Sequence, residues 1–203
     1  MIIILKLQEI DPNFQTGLLT REYRWHACGE GPLRYHGLTA GCGVPLCRMD
    51  PAAAAAVSEG VAALAYHTAG VSLDFVTDSP AVALRARLVD PADMDHMPRS
   101  GSAGFDIYTD EDGLLQFRKA VMSAGGEDRL AGEYVCEGAR CKRVRVHFPL
   151  YSGVAAVEIG LLPGAVLEMN SYSYCEYAEF KKTSGCKMNS NIAVLIIINY
   201  DTL

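Results

Sequence analysis

The chain has 203 residues, 50% hydrophobic and 21% charged, the balance of an ordinary globular protein long enough to bury one sizeable core. A formal charge of -6 gives its field the wrong sign for phosphate backbones and anionic lipid surfaces, which excludes nucleic acid as a general partner. The densest apolar run, residues 192–198, is far short of the roughly 20 residues that carry a helix across a bilayer, so no membrane partner is expected.

Met1 to Leu5 is apolar, lacks a basic leader and runs into Lys6 and Glu9, which predicts a first strand rather than an export signal. Without such a signal, the odd set of seven cysteines (Cys28, Cys42, Cys47, Cys136, Cys141, Cys175, Cys186) predicts reduced thiols and a cytoplasmic location. Cys42 with Cys47 and Cys136 with Cys141 are too loosely spaced for a typical zinc site, and are read as small buried or loop cysteines with no metal.

Asp11-Pro12-Asn13 and Gly29-Glu30-Gly31-Pro32 break the first forty residues into short pieces. Asp50-Pro51 before Ala52 to Ala56 is a helix start, because Asp accepts N-terminal amides and Pro at the first position sacrifices no needed donor. One short helix is expected, ending before Gly70 and covering one end of a core through Val57, Val61, Leu64 and Ala65.

From Val71 the period changes to two. Val71, Leu73 and Phe75 alternate with Ser72 and Asp74, and Val82, Leu84, Ala86 and Leu88 alternate with Arg85 and Arg87. The short polar link Thr77-Asp78-Ser79-Pro80 between them predicts an antiparallel hairpin. Downstream, Phe105 and Ile107 face away from Asp106 and Tyr108, and residues 110–113 turn the chain into the next strand. Val144, Val146 and Phe148 then oppose Arg143, Arg145 and His147, while Val157, Ile159 and Leu161 oppose Glu158. Short strands without βα alternation predict a mainly β fold, an antiparallel, jelly-roll-like β-sandwich over residues 1–169. Residues 170–203, rich in Tyr, Cys, Ser and Asn before IAVLIII, read as an atypical tail of the kind left by a truncated or frame-shifted junction.

Three phrases in this strand-rich middle, VSLDFVTDSPAVALRARL, HMPRSGSAGFDIY and VRVHFPLYSGVAAVEIGL, resemble the N-terminal domain that precedes the catalytic domain in SGNH (GDSL-type) esterases. The resemblance extends from about Asp11 to Ala165. It implies an accessory β-sandwich whose partner is an SGNH catalytic domain cleaving an ester, with a carbohydrate ester as one substrate class. The Gly-Asp-Ser nucleophile block of that domain does not occur in the sequence, nor do its oxyanion-hole Gly and Asn blocks, so no catalytic site is assigned and the chain by itself is expected to be noncatalytic.

Asp93-Met94-Asp95-His96 meets the Asp-x-x-His spacing of the family's acid and base, and Ser102 lies in a glycine turn nearby. Asp93, His96 and Ser102 are therefore the residues a hydrolase reading would use, although a Gly-x-Ser-x-Gly elbow needs another spacing and a strand-to-helix context. Ser79 and Ser152 sit in turns where hydroxyls bond the backbone. His26, His36, His67 and His147 lack metal-ligand spacing, and no glycine-rich phosphate cradle appears, so no cofactor is expected. A stand-alone carbohydrate- or ligand-binding module is the rival reading, with Trp25, Tyr35, Tyr108 and Tyr151 as the ligand-binding aromatics. A domain separated from its partner would expose an apolar face, which predicts self-association.

Overall fold

The computed structural model describes residues 19–110, 113–123, 127–136 and 138–170. Two antiparallel sheets face one another across a shared core, the sandwich expected from the alternating strands. The four-stranded sheet runs β1 (Arg24–Ala27), β9 (Gly153–Leu161), β4 (Ala81–Val89), β7 (Arg129–Val135). The larger sheet runs β10 (Glu168–Met169), β3 (Ser72–Thr77), β8 (Lys142–His147), β5 (Gly104–Asp110), β6 (Leu115–Met122), with β2 (Tyr35–His36) also paired to β3.

The inward residues are those the period of two selects. Val82, Leu84 and Ile159 from one sheet meet Leu73, Phe75, Phe105, Ile107, Val144 and Val146 from the other, all fully buried. Each such side chain contributes roughly 1.5–3 kcal/mol by leaving water, and this pins the register, since a one-residue slip would exchange the faces.

The predicted hairpin between β3 and β4 does not form. β3 pairs with β8, whereas β4 pairs with β7 and β9 in the other sheet. The link carries the chain from one sheet to the other, and Ser79 holds that corner. Its backbone N–H donates to Thr77 Oγ1 at 3.1 Å, its Oγ donates to Ala81 O, and Leu162 N–H donates to Ser79 Oγ at 3.1 Å. Alternation says which side chains enter a core but not which strand lies alongside, so a short link is compatible with either arrangement.

The single expected helix is two, α1 (Pro51–Val57) and α2 (Glu59–Leu64). Asp50 caps the first as anticipated, accepting from Ala53 N–H at 3.0 Å. Ser58 interrupts the run in extended backbone (φ -172°, ψ 162°), and its hydroxyl accepts from Val61 N–H to start the second helix. A side chain that competes for backbone donors ends one helix and caps another. Val57 and Leu64 are exposed, so these helices do not close the core as predicted; Ala54 and Ala65 are the buried positions. A third short helix, α3 (Arg99–Ser102), stands where a glycine turn was expected.

Cys42 and Cys47 are disulfide-bonded, in contrast to the predicted reduced thiols. Thr39 N–H donates to Cys47 O and Leu46 N–H to Val154 O, folding the loop back so that the two Cα atoms are 5.6 Å apart, within bridging range. The pair is thus committed to itself, not to a four-thiolate metal site. Cys28 is half-buried, with its thiol pushed up to about 12 by burial, while Cys136 is buried and Cys141 exposed. Among the described residues no helix is long and apolar enough to cross a membrane. The expected strand at Met1 to Leu5 and the tail from Ser171 onward lie outside the described residues.

Candidate functional site

The outward face of the larger sheet is polar and ordered in rows. Ser72, His147, Asp106 and Ala120 lie in line across β3, β8, β5 and β6. In the next row stand Asp74, Arg145, Tyr108 and Phe117, and beyond them Val76, Arg143, Asp110 and Leu115. A face of this kind ordinarily meets water. Here Asp74 and Arg145 are only 3% and 7% exposed at their side chains, and they pair at 2.9 Å. Arg143 Nε adds a second ion pair to Asp74 at 2.9 Å. One carboxylate thus holds two guanidiniums, an arrangement in which each buried charge depends on its partner.

Asp106 and His147 are half-buried register partners with opposite electrostatic displacement. Burial raises Asp106 above its ordinary value of 3.8. Burial, reinforced by Arg145 and opposed by Asp74, lowers His147 below 6.5. Both shifts favour the neutral forms, as desolvation requires. Ser72, His147 and Asp106 have the composition of a hydrolytic triad, but among the described residues no hydrogen bond joins the three, and Ser72 is buried. Instead the His147 ring meets Tyr108 edge-on at 5.3 Å, and Tyr108 meets Phe117 at 5.6 Å. These edge-on contacts tie His147, Tyr108 and Phe117 into one aromatic row across β8, β5 and β6.

Asp93, His96 and Ser102 are not assembled. The Asp93 carboxylate pairs with Arg99 at 3.1 Å and His96 is exposed. Ser102 is fully buried, with its Oγ donating to Ala92 O at 3.0 Å. Ser152 Oγ donates to Ser102 O and accepts from Ala92 N–H, so both serines are stitches between loops.

The four candidate aromatics are dispersed as well. Trp25 lies on the smaller sheet with the Arg85 guanidinium 4.1 Å above its ring. Tyr35 packs on Phe148 and its phenol is driven up by burial. Tyr108 belongs to the polar face just described. Tyr151 backs His67, which lines a cleft of about 550 Å³ beside the disulfide loop. They form no common platform.

Sequence reading placed Asp74, Arg143, Arg145 and His147 on outward faces but assigned them no site. The signal available was charge recurring at alternate positions in β8 and a single Asp74 in β3; their register is not visible in the sequence.

The chain matches the sequence profile of the GxDLY family, described as the N-terminus of SGNH hydrolase-type esterases, over residues 26–167. The pattern in that name occurs here as Gly104-Phe105-Asp106-Ile107-Tyr108, with Ile in the fourth place. Each letter has a physical reason. A Cβ at Gly104 would stand 2.4 Å from Ser100 O of α3, Phe105 and Ile107 fill the core, and Asp106 and Tyr108 build the polar face. Among solved structures, a GDSL-like lipase from Bacteroides ovatus superposes with a TM-score of 0.66 at 22% identity, covering 74% of this chain. The salicylyl-acyltransferase SsfX3 from a tetracycline biosynthetic pathway gives 0.56 at 25% identity, also over 74% of this chain. This chain spans 44% and 42% of the lengths of those two. No curated protein sequence matches it. From its profile match over most of its length, the chain belongs to the GxDLY family, the N-terminal region of SGNH hydrolase-type esterases.

Proposed function

We propose that this chain is the noncatalytic accessory β-sandwich of an SGNH-type esterase, and that the polar face of its larger sheet docks the hydrolase domain. The observation that carries the reading is the position of the motif. Asp106 and Tyr108 point away from the core, beside the cluster in which buried Asp74 and Arg145 pair with half-buried Arg143, where fold stability alone does not require charges. A rigid ion cluster with half-buried Asp106 and His147 beside it offers oriented donors and acceptors at little ordering cost. Ester cleavage is then the work of the partner, consistent with the burial of Ser102 and Ser72. The Cys42–Cys47 disulfide favours an oxidising compartment over the cytoplasm expected from the sequence.

The test combines chemistry and binding. The purified chain should neither turn over p-nitrophenyl acetate nor be labelled by a fluorophosphonate. It should co-elute with a separately expressed hydrolase domain from a similar full-length GxDLY esterase, and Asp106→Ala with Tyr108→Ala should abolish that co-elution. Serine-dependent turnover by the chain, or co-elution untouched by both substitutions, would overturn the reading.

A further inference from the structure

The outer face of the smaller sheet carries an unexplained juxtaposition. Arg87 of β4 and Arg129 of β7 are direct register partners, and both are exposed. Like charges opposite one another on an antiparallel ladder repel, yet neither guanidinium has an ion pair or hydrogen bond among the described residues. The neighbouring charges on this face are matched. Arg85 grips Glu158 through two hydrogen bonds of 2.6 and 2.8 Å. Ala131 and Ala156 keep the floor low, and with the charged residues they outline a shallow groove of about 520 Å³, within the size range of small-ligand sites.

We propose that this groove binds uronate rings of an acidic polysaccharide, with Arg87 and Arg129 taking the ring carboxylate and Glu158 accepting from ring hydroxyls. Two guanidinium forks side by side match the geometry of a carboxylate. An alanine floor without projecting side chains accommodates a ring lying flat. Glu158 selects between anions. A carboxylate offers about four acceptor positions and Arg85 uses two of them, so hydroxyl donors satisfy the rest. An acidic peptide brings a like charge to Glu158 and no ring hydroxyls, and a neutral glycan leaves the opposed arginines uncompensated. The net charge of the chain is -6, so long-range attraction does not produce this binding; the local pair must. The groove is on the sheet opposite the docking face and stands independently of it.

Native electrophoresis through gels containing polygalacturonate, the same polymer fully methyl-esterified, or polyglutamate separates the cases. Polygalacturonate alone should retard the chain, less so as salt is raised. The double variant Arg87→Ala, Arg129→Ala should weaken retardation by about tenfold or more, as expected when charge-assisted pairs are removed. Arg129→Glu guards against misfolding, because it sets opposite charges face to face. Its unfolding midpoint should match or exceed that of the parent while retardation is lost. No retardation of the parent, equal retardation by the methyl ester, retention unchanged in the folded variants, or stronger retardation by polyglutamate would each overturn the proposal, the last in favour of an acidic-peptide surface.

Discussion

Replacing Asp74 by Ala should destabilise the domain far more than the same truncation at Glu158, although both carboxylates hold arginine. Asp74 is 3% exposed at its side chain, and it bonds Arg145, itself 7% exposed, and Arg143, each at 2.9 Å. Glu158 and Arg85 are 35% and 44% exposed. In an effective dielectric near 20, unit charges about 4 Å apart attract by about 4 kcal/mol, against about 1 kcal/mol in water. Truncating one member of a buried pair costs about 3–5 kcal/mol, since the partner is left desolvated, whereas exposed pairs contribute at most about 1 kcal/mol. Removing Asp74 also leaves two guanidiniums of β8, two residues apart, without their shared carboxylate. For a domain of this size, about 2–4 °C per kcal/mol converts the loss into a fall of roughly 6–20 °C in Tm, against a few degrees for Glu158→Ala. Trp25, the single tryptophan, reports unfolding by fluorescence without added labels. An Asp74→Ala protein within about 1 kcal/mol of the parent, or equal to Glu158→Ala, would refute the claim that this outward cluster is energetically buried.

Four further outcomes are expected. Gly104→Ala should cost about 1–3 kcal/mol, because the new methyl meets Ser100 O at 2.4 Å, while Gly43→Ala, open on every side, should change the urea midpoint by less than about 0.5 kcal/mol equivalent. Because His147 is depressed in the fold, its contribution is present above 6.5 and lost as pH falls below it; His147→Gln should flatten that part of the stability profile measured by urea titration. Asp106 runs the other way: its raised value gives stability that is full below 3.8 and lost as pH rises through the folded value, so Asp106→Asn should match the parent in acid and exceed it near neutrality. Opening the disulfide with Cys42→Ser, Cys47→Ser should cost about 2 kcal/mol from the loop entropy of so short a closure, and peptide mass mapping of the unreduced parent should recover Cys42 and Cys47 in one linked fragment.

The polar face shows how far one-dimensional pattern reading reaches. Alternation already placed Phe105 and Ile107 inside and Asp106 and Tyr108 outside, because side chains of a strand must leave on opposite faces and only one face can be dry. It did not reveal that His147 stands between Ser72 and Asp106, or that Asp74 lies beside Arg145. Those neighbours come from strands far apart in the chain. Nor did it distinguish the supposed β3–β4 hairpin from a change of sheet, since both present the same inward residues.

What the sequence by itself determined was the class of fold, the inward and outward faces of its strands, the Asp50 helix cap and the family phrases. These rest on local periodicity, local capping chemistry and contiguous words. Strand order, the disulfide, the break at Ser58, the buried ion cluster and the opposed Arg87 and Arg129 were decided only in three dimensions, because each depends on which distant backbone is brought alongside, and that is settled by burying the whole core at once.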